Sequence, residues 1–222
     1  MNKPETSYMI INRQLTRFNT YWRRIFNVGD FSTLITLSVL LIMPAFALSA
    51  AGWALDMRII LPISLLGVGL GYILSRSQYD ELLALIISIL YGIGLVIIIA
   101  AINEPMEFFP AMTSVIVRSI RWIIDLTTGG INQDDLVFTM LVAILFWFLA
   151  YNAVWHLFRL DRVWRVILPS GVILLANLVI YSGDSSLDIY LALFLLMSMI
   201  LIVRSNLDAR EWSWYINGIR VP

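Results

Sequence analysis

The sequence predicts an all-α integral membrane protein, a bundle of six transmembrane helices with one cytoplasmic and one external interfacial amphipathic helix. Composition points there first: 60% of the 222 residues are hydrophobic and only 14% charged, whereas soluble domains run at roughly 45–50% and about 25%. Apolar runs then recur at lengths that cross a hydrocarbon core of about 30 Å when each helical residue rises 1.5 Å. Finally, the basic residues gather in alternate connections, the bias that orients multi-pass chains.

Residues 1–30 form a basic amphipathic segment. Ile11, Leu15, Phe18, Trp22 and Ile25 make one stripe of a helix, with Arg13, Arg17 and Arg24 on the other side. Such a helix either lies on the cytoplasmic leaflet, where each basic residue gains about 1 kcal/mol from anionic lipid, or packs on the protein's own loops. Gly29 is placed to end it and Asp30 to cap the next. The first span covers 31–51 and contains Pro44. Its Ala45-Phe46-Ala47 triplet resembles a signal-peptidase site, but it sits too far along the chain for an ordinary leader and is expected to stay uncleaved. The second span, 59–74, is short and carries Gly67 and Gly71 in a GxxxG spacing, which lets another helix of this protein approach closely. The third, 82–102, repeats Ala84, Ser88 and Gly92 every four residues, a second seam of small side chains.

The connection 103–135 is the longest. Within it Met112, Val115, Ile116, Ile120 and Ile123 lie opposite Ser114, Arg118, Arg121 and Asp125. Residues 110–126 therefore read as a helix lying flat on the outer surface, opened by Pro110 and closed by Thr127-Thr128-Gly129-Gly130. Asn132 or Asp134 caps the fourth span, 136–158. The fifth and sixth spans cover 166–181 and 187–203, and the tail 204–222 is polar and rich in aromatic residues.

Between the fourth and fifth spans, the turn 159–165 carries Arg159, Arg162 and Arg165, flanked by Trp155 and Trp164. An arginine at mid-membrane costs roughly 2.5–3.5 kcal/mol on insertion scales, so three of them hold this turn outside the hydrocarbon. The two indoles are expected at the interface, ring in lipid and N–H among the headgroups. With the turn inside, cytoplasmic segments hold twelve basic residues: five ahead of the first span, Arg76, the three of the turn, Arg204, Arg210 and Arg220. External segments hold three, Arg58, Arg118 and Arg121. Both termini are expected in the cytoplasm.

The same composition narrows the chemistry. Net charge is zero, with 15 basic and 15 acidic residues, so nothing in the balance calls for nucleic acid. The absence of cysteine removes thiol nucleophiles, disulfides, iron–sulfur clusters and cysteine-ligated zinc. The single histidine, His156, offers little to a metal or to imidazole catalysis, and no cofactor is expected. Apart from Asp188 at the very start of the sixth span, no carboxylate falls inside a predicted span, so proton-relay acids are missing from the span interiors. Asn177 reads as the most polar group deep in a helix. An unpaired amide in hydrocarbon is costly, so it is expected to hydrogen-bond a neighbouring helix, with a substrate contact as the alternative. Asn152 and His156, one turn apart, read as satisfied interfacial groups and Trp147 as packing. Arg58-Ile59-Ile60-Leu61-Pro62 and Arg165-Val166-Ile167-Leu168-Pro169 open the second and fifth spans alike; a true repeat of three crossings would be inverted, as in secondary transporters.

Much of the chain resembles the N-terminal membrane region of bacterial transglutaminase-like membrane proteins. The likeness is carried by Tyr151-Asn152-Ala153-Val154-Trp155 with Phe158-Arg159, by Trp164-Arg165-Val166-Ile167-Leu168-Pro169-Ser170-Gly171, and by Asn177-Leu178. It continues through Leu187-Asp188-Ile189-Tyr190-Leu191-Ala192-Leu193-Phe194, Val203-Arg204-Ser205-Asn206-Leu207, Arg210-Glu211, Trp214 and Gly218-Ile219-Arg220. In the first half, Leu66-Gly67 through Gly71, Leu74-Ser75-Arg76-Ser77 and Leu90-Tyr91-Gly92 are similar. The resemblance implies a helical bundle, a further crossing, and an extracytoplasmic domain using a Cys-His-Asp triad. Without cysteine no triad residue carries over, and the chain reaches Pro222 on the predicted inner side, so it reads as the membrane portion of a longer protein or a truncated product.

The leading expectation is a non-catalytic domain of the bacterial cytoplasmic membrane that anchors or positions an exported transglutaminase-like domain. Its partners would be the lipid bilayer and that domain or another membrane protein. The alternative is a small transporter or permease subunit, marked by a mid-membrane polar cavity lined by Asn177 and the two Arg-x-Ile-Leu-Pro segments. A membrane-embedded enzyme would need a converging set of titratable groups.

Overall fold

The computed structural model describes residues 28–130, 133–181, 183 and 187–216. Among them the regular structure is all helical: α1 (Val28–Ala50), α2 (Met57–Ser75), α3 (Glu81–Asn103), α4 (Phe108–Thr128), α5 (Asp135–Phe158), α6 (Trp164–Ile180) and α7 (Asp188–Ile216). Five of these, α1, α2, α3, α5 and α7, are long and apolar enough to cross a membrane. α6 is apolar but has only 17 residues, about 25 Å at 1.5 Å per residue.

Aspartates begin three helices by accepting backbone N–H groups that would otherwise lack partners. Asp56 accepts from Arg58 at 2.9 Å, Asp80 from Leu83 at 3.2 Å, and Asp134 from Leu136 and Val137 at 3.0 and 3.2 Å. Asp134 is thus the cap of α5; Asn132 lies outside the described residues. α4 ends at Gly129, whose φ of 78° a side chain would strain, and Gly130 N–H donates to the Asp125 carbonyl at 2.8 Å.

α5 is the central helix, packed against α1, α2, α3, α4 and α6. Its closest neighbour is α2. A Cβ at Gly67 would lie 3.0 Å from Ala150 Cβ and 3.1 Å from the Trp147 carbonyl oxygen, and one at Gly71 would lie 3.1 Å from Val154 Cβ. These two glycines set the separation of the helices, because any side chain there would hold the backbones apart. The small-residue seam of α3 also meets α5: Ala84 packs with Tyr151 and Trp155, and Ser88 and Gly92 receive Trp147. α6 packs on α1 and α5, and α7 packs on α1. α3 and α7 are the least covered spans, leaving Leu82, Ile86, Leu90, Ile189, Leu196 and Met199 exposed. Apolar belts of this kind suit lipid as the surrounding solvent.

Side-chain contacts define two ends of the bundle. At one, Asp30 of α1 meets Arg76 and Tyr72 at the end of α2, and Arg159 beyond α5 donates to the Ser77 carbonyl at 3.0 Å. At the other, Trp53 after α1 meets Phe138 of α5 and Asn177 of α6, while Arg118 joins Glu104 after α3 to Asp134 before α5. Six helices therefore run from end to end in alternation. α4 both leaves and returns at the Trp53 end.

Several boundaries differ from the sequence reading. α1 starts at Val28, so Gly29 lies within a helix, and the Asp30 carboxylate serves Arg76 and Tyr72 instead of a cap. α7 runs on past 203 to Ile216; no glycine or proline interrupts 188–216, so the fall in hydropathy marks an exit from the apolar zone and not the end of a helix. On α4, Ala111, Val115, Arg118 and Trp122 lie toward the protein, whereas Phe109, Val117, Ile120, Ile123 and Ile124 are exposed. The spacing puts Val115 and Arg118 on opposite faces of this helix, whereas here both lie toward the protein. The stripe from Ile11 to Ile25 and the residues 217–222 lie outside the described residues.

Candidate functional site

The predicted site residues separate into three places. Gly67 and Gly71 belong to the α2–α5 interface. Asn177 belongs to the Trp53 end, and the arginine turn with its two tryptophans forms the other end.

Asn177 sits one turn before the end of α6, where its own carbonyl receives Tyr181 N–H at 2.9 Å. It therefore lies toward an end of its helix and not in the middle. Its side chain is 3% exposed, and its Oδ1 accepts the Trp53 indole N–H at 3.0 Å. The amide Nδ2 is buried with no hydrogen-bond partner. Trp53 in turn stacks on Phe138, ring centroids 6.0 Å apart. These two rings, Trp122, Gln133, Asp134 and Asp135 line an open cleft of about 590 Å³.

Arg118 closes this end as a clamp. Its Nε and Nη2 donate to the two Asp134 oxygens at 2.7 and 2.6 Å, and Nη1 donates to Glu104 at 2.9 Å. The paired fork geometry holds α4 to the end of α3 and the start of α5 at once. Hydrogen bonds from Arg118 hold the Asp134 carboxyl below the usual carboxylate range against the opposing effect of burial, and the same contact raises Arg118 further. Asp56 is likewise lowered, chiefly by its hydrogen bonds with Arg58.

At the arginine-turn end, Arg76 pairs with Asp30 and lies 5.7 Å from the Tyr72 and Phe158 ring centroids. The Tyr72 hydroxyl donates to Asp30 at 3.0 Å. Arg159 lies 4.6 Å over the Trp155 ring. Trp155 is itself only 3% exposed, packed against Tyr151 and Ala84. The expectation of a lipid-facing indole fails there, since α5 is central and its last turn is covered; Trp164, 62% exposed, is the indole that reaches the perimeter. The turn folds back through Arg162 N–H donating to the His156 carbonyl at 2.9 Å, with Asp161 at φ 49°. Asn152 donates to the Phe148 carbonyl within its own helix.

Sequence reasoning missed the pairs that join the ends: Asp30 with Arg76, Arg118 with Glu104 and Asp134, and Trp53 with Asn177. The available signal was position, since Asp30, Arg76, Glu104 and Asp134 each lie within a turn of a span's edge, where a partner is needed; Arg118, in the middle of α4, gave no such signal. Trp147 does more than pack: its indole N–H donates to the Ser88 carbonyl at 3.0 Å and lies 3.2 Å from Ser88 Oγ. Among the described residues no three His, Asp or Glu side chains gather as a metal set. No nucleophile and base converge in the contacts above; what the arrangement offers is helix fixation and two open clefts, one at each end. Compared with family models, curated proteins and solved structures, the chain finds no match in any of the three.

Proposed function

We propose that this chain is a multi-pass domain of the bacterial cytoplasmic membrane that crosses six times, with the arginine-turn end in the cytoplasm. Its role is to anchor and position an exported transglutaminase-like domain, without catalysis of its own. The observation that carries the topology is the alternation of six helices between two ends of opposite charge character. Arg76, Arg159, Arg162, Arg165 and Arg204 lie toward one, with four carboxylates, Asp30, Asp80, Glu81 and Asp161, whereas Arg58, Arg118 and Arg121 at the other sit among seven, Asp56, Glu104, Glu107, Asp125, Asp134, Asp135 and Asp188. α4 is the external interfacial helix in this reading, its exposed isoleucines in lipid and Arg118 turned to the protein.

The transglutaminase part rests on the residue likeness alone. Packing supports a structural role: the α2–α5 contact is too close for a side chain at Gly67 or Gly71, and Trp147 fills the space beside Gly92. The transporter alternative asks for one cavity shared by Asn177 and both Arg-x-Ile-Leu-Pro segments. Arg58 and Asn177 belong to the Trp53 end and Arg165 to the opposite end, which favours the anchor. Reporter fusions after Thr128 and after Arg165 test the crossings: opposite compartments are expected, and matching signals refute six. The coding sequence beyond codon 222 tests the anchor. A further apolar span and a Cys-His-Asp domain are expected, and a stop codon there removes that half of the proposal.

A further inference from the structure

We propose that the cleft between the α5–α6 turn and α7 binds a phosphate group through Arg162 and Arg165. The cleft measures about 370 Å³ and is lined by Asp161, Arg162, Trp164 and Arg165 on one side and by Ile202, Ser205 and Asn206 of α7 on the other. That volume holds roughly a dozen waters at about 30 Å³ each, enough for a phosphate, its ester and part of its hydration. Both guanidiniums are exposed and, among the described residues, neither has an ion pair. Arg76 and Arg159 at this end are committed elsewhere, Arg76 to Asp30 and Arg159 to Trp155 and Ser77, and Arg204 is not among the residues that line the cleft.

Two arginines three residues apart at the start of α6 repel each other and oppose the positive end of the helix dipole. Among the described residues only Asp161 offsets them within the cleft, leaving that lining net positive. A ligand with several anionic oxygens relieves both conflicts, and the planar fork of each guanidinium matches a phosphate's paired oxygens. Ser205 supplies a hydroxyl from the facing helix. Asn206 spends one amide hydrogen on the Ile202 carbonyl at 2.8 Å and keeps its other donor. Trp164, exposed beside the arginines, places the cleft at the depth where indoles and lipid phosphates meet. The phosphate therefore comes either from an anionic lipid headgroup or from a soluble phosphorylated molecule. This inference goes beyond the anchoring role and does not depend on it.

The test uses the full chain in nanodiscs. In one arm, native mass spectrometry compares retention of phosphatidylglycerol with phosphatidylcholine. In the other, inorganic phosphate is titrated into protein held in phosphatidylcholine. Replacing both arginines (R162Q/R165Q) is expected to weaken whichever binding is seen roughly thirty-fold, the effect of two basic contacts near a surface, and R162K/R165K to restore part of it. R121Q, which removes one positive charge from the other end, is expected to leave it unchanged. Retention of phosphatidylglycerol that millimolar phosphate does not displace assigns the lipid source; arginine-dependent binding of free phosphate assigns the soluble one. Binding that survives R162Q/R165Q, that falls equally in R121Q, or that is missing from both arms overturns the proposal. If R162Q/R165Q loses its helical circular dichroism, Ser205→Leu fills the cleft from α7 without changing charge and is read against the same outcomes.

Discussion

The three glycines of α2 make an internal experiment on what holds the bundle together. Gly67 and Gly71 face α5, whereas a Cβ on Gly69 meets nothing within 4 Å. Carbon atoms pack at about 3.5–4.0 Å. A methyl group at Gly67, 3.0 Å from Ala150 Cβ and 3.1 Å from a backbone oxygen, must therefore displace α5 by a few tenths of an ångström, which loosens the dispersion contacts along the seam. Overpacking of this kind costs about 1–3 kcal/mol, and the better helix propensity of alanine returns up to about 1. Gly67→Ala is expected to destabilise by a net ~1–2 kcal/mol, Gly71→Ala by a similar amount, and Gly69→Ala to be neutral or stabilising. The double variant G67A/G71A should fall short of the sum, because one separation of the helices relieves both contacts. The measurement is equilibrium unfolding of the purified protein in mild detergent with increasing SDS, followed by tryptophan fluorescence. If G69A costs as much as G67A, or if G67A/G71A gains stability, close approach at the glycines is not what organises these helices.

Trp147→Phe removes the indole N–H from Ser88 and is expected to cost about 1 kcal/mol, whereas Ser88→Ala, which leaves the 3.0 Å bond to the backbone carbonyl in place, costs less in the same unfolding assay. A double-mutant cycle of Trp53→Phe and Asn177→Leu is expected to give a coupling of roughly 0.6–1.7 kcal/mol; additivity within error would mean that the bond between them carries no stability. For Asp134, whose folded pKa lies below the unfolded value of about 3.9, the stabilisation is complete above that value and is lost as pH falls through the folded pKa. The wild-type unfolding midpoint is thus expected to decline below about pH 4, by about 1 kcal/mol after solvent screening of the partly exposed pair. Asp134→Asn is expected to be less stable at neutral pH and to follow a flatter acid profile.

Helix existence was legible because lipid-spanning runs are long and apolar, and small-residue seams were legible because their spacing matches the helical repeat. Gly67, Gly71, Ser88 and Gly92 all lie at helix contacts. Partners were not legible. Trp53 and Asn177 are 124 residues apart, Arg76 and Asp30 46 apart, and no local pattern connects them. Composition also misled at two points for the same reason: it measures the surrounding solvent, not the backbone. α7 continues as a helix after its residues become polar, and Trp155 is buried although it flanks an arginine turn, because burial depends on which helix is central. Asn177 illustrates a third case. Counting from span edges places it near an end of α6, yet its polarity among leucines and valines drew it inward.

The pairing of arginines sharpens the meaning of the charge bias. During insertion the chain is read before tertiary contacts exist, and Lys and Arg act by number and position. After folding, Asp56 offsets Arg58, and Glu104 with Asp134 offsets Arg118, so the Trp53 end presents a field governed by its surplus carboxylates. At the opposite end Arg76 is offset by Asp30, but Arg162 and Arg165 keep their charge at the surface. In the proposed topology the same asymmetry would act twice, once on the extended chain as an orientation signal and again on the folded bundle as a positive face toward the leaflet it adjoins. Anionic lipid adds about 1 kcal/mol per basic residue near its surface, so a bundle held the other way up would lose the contribution of those two arginines and bring the surplus carboxylates against anionic headgroups instead.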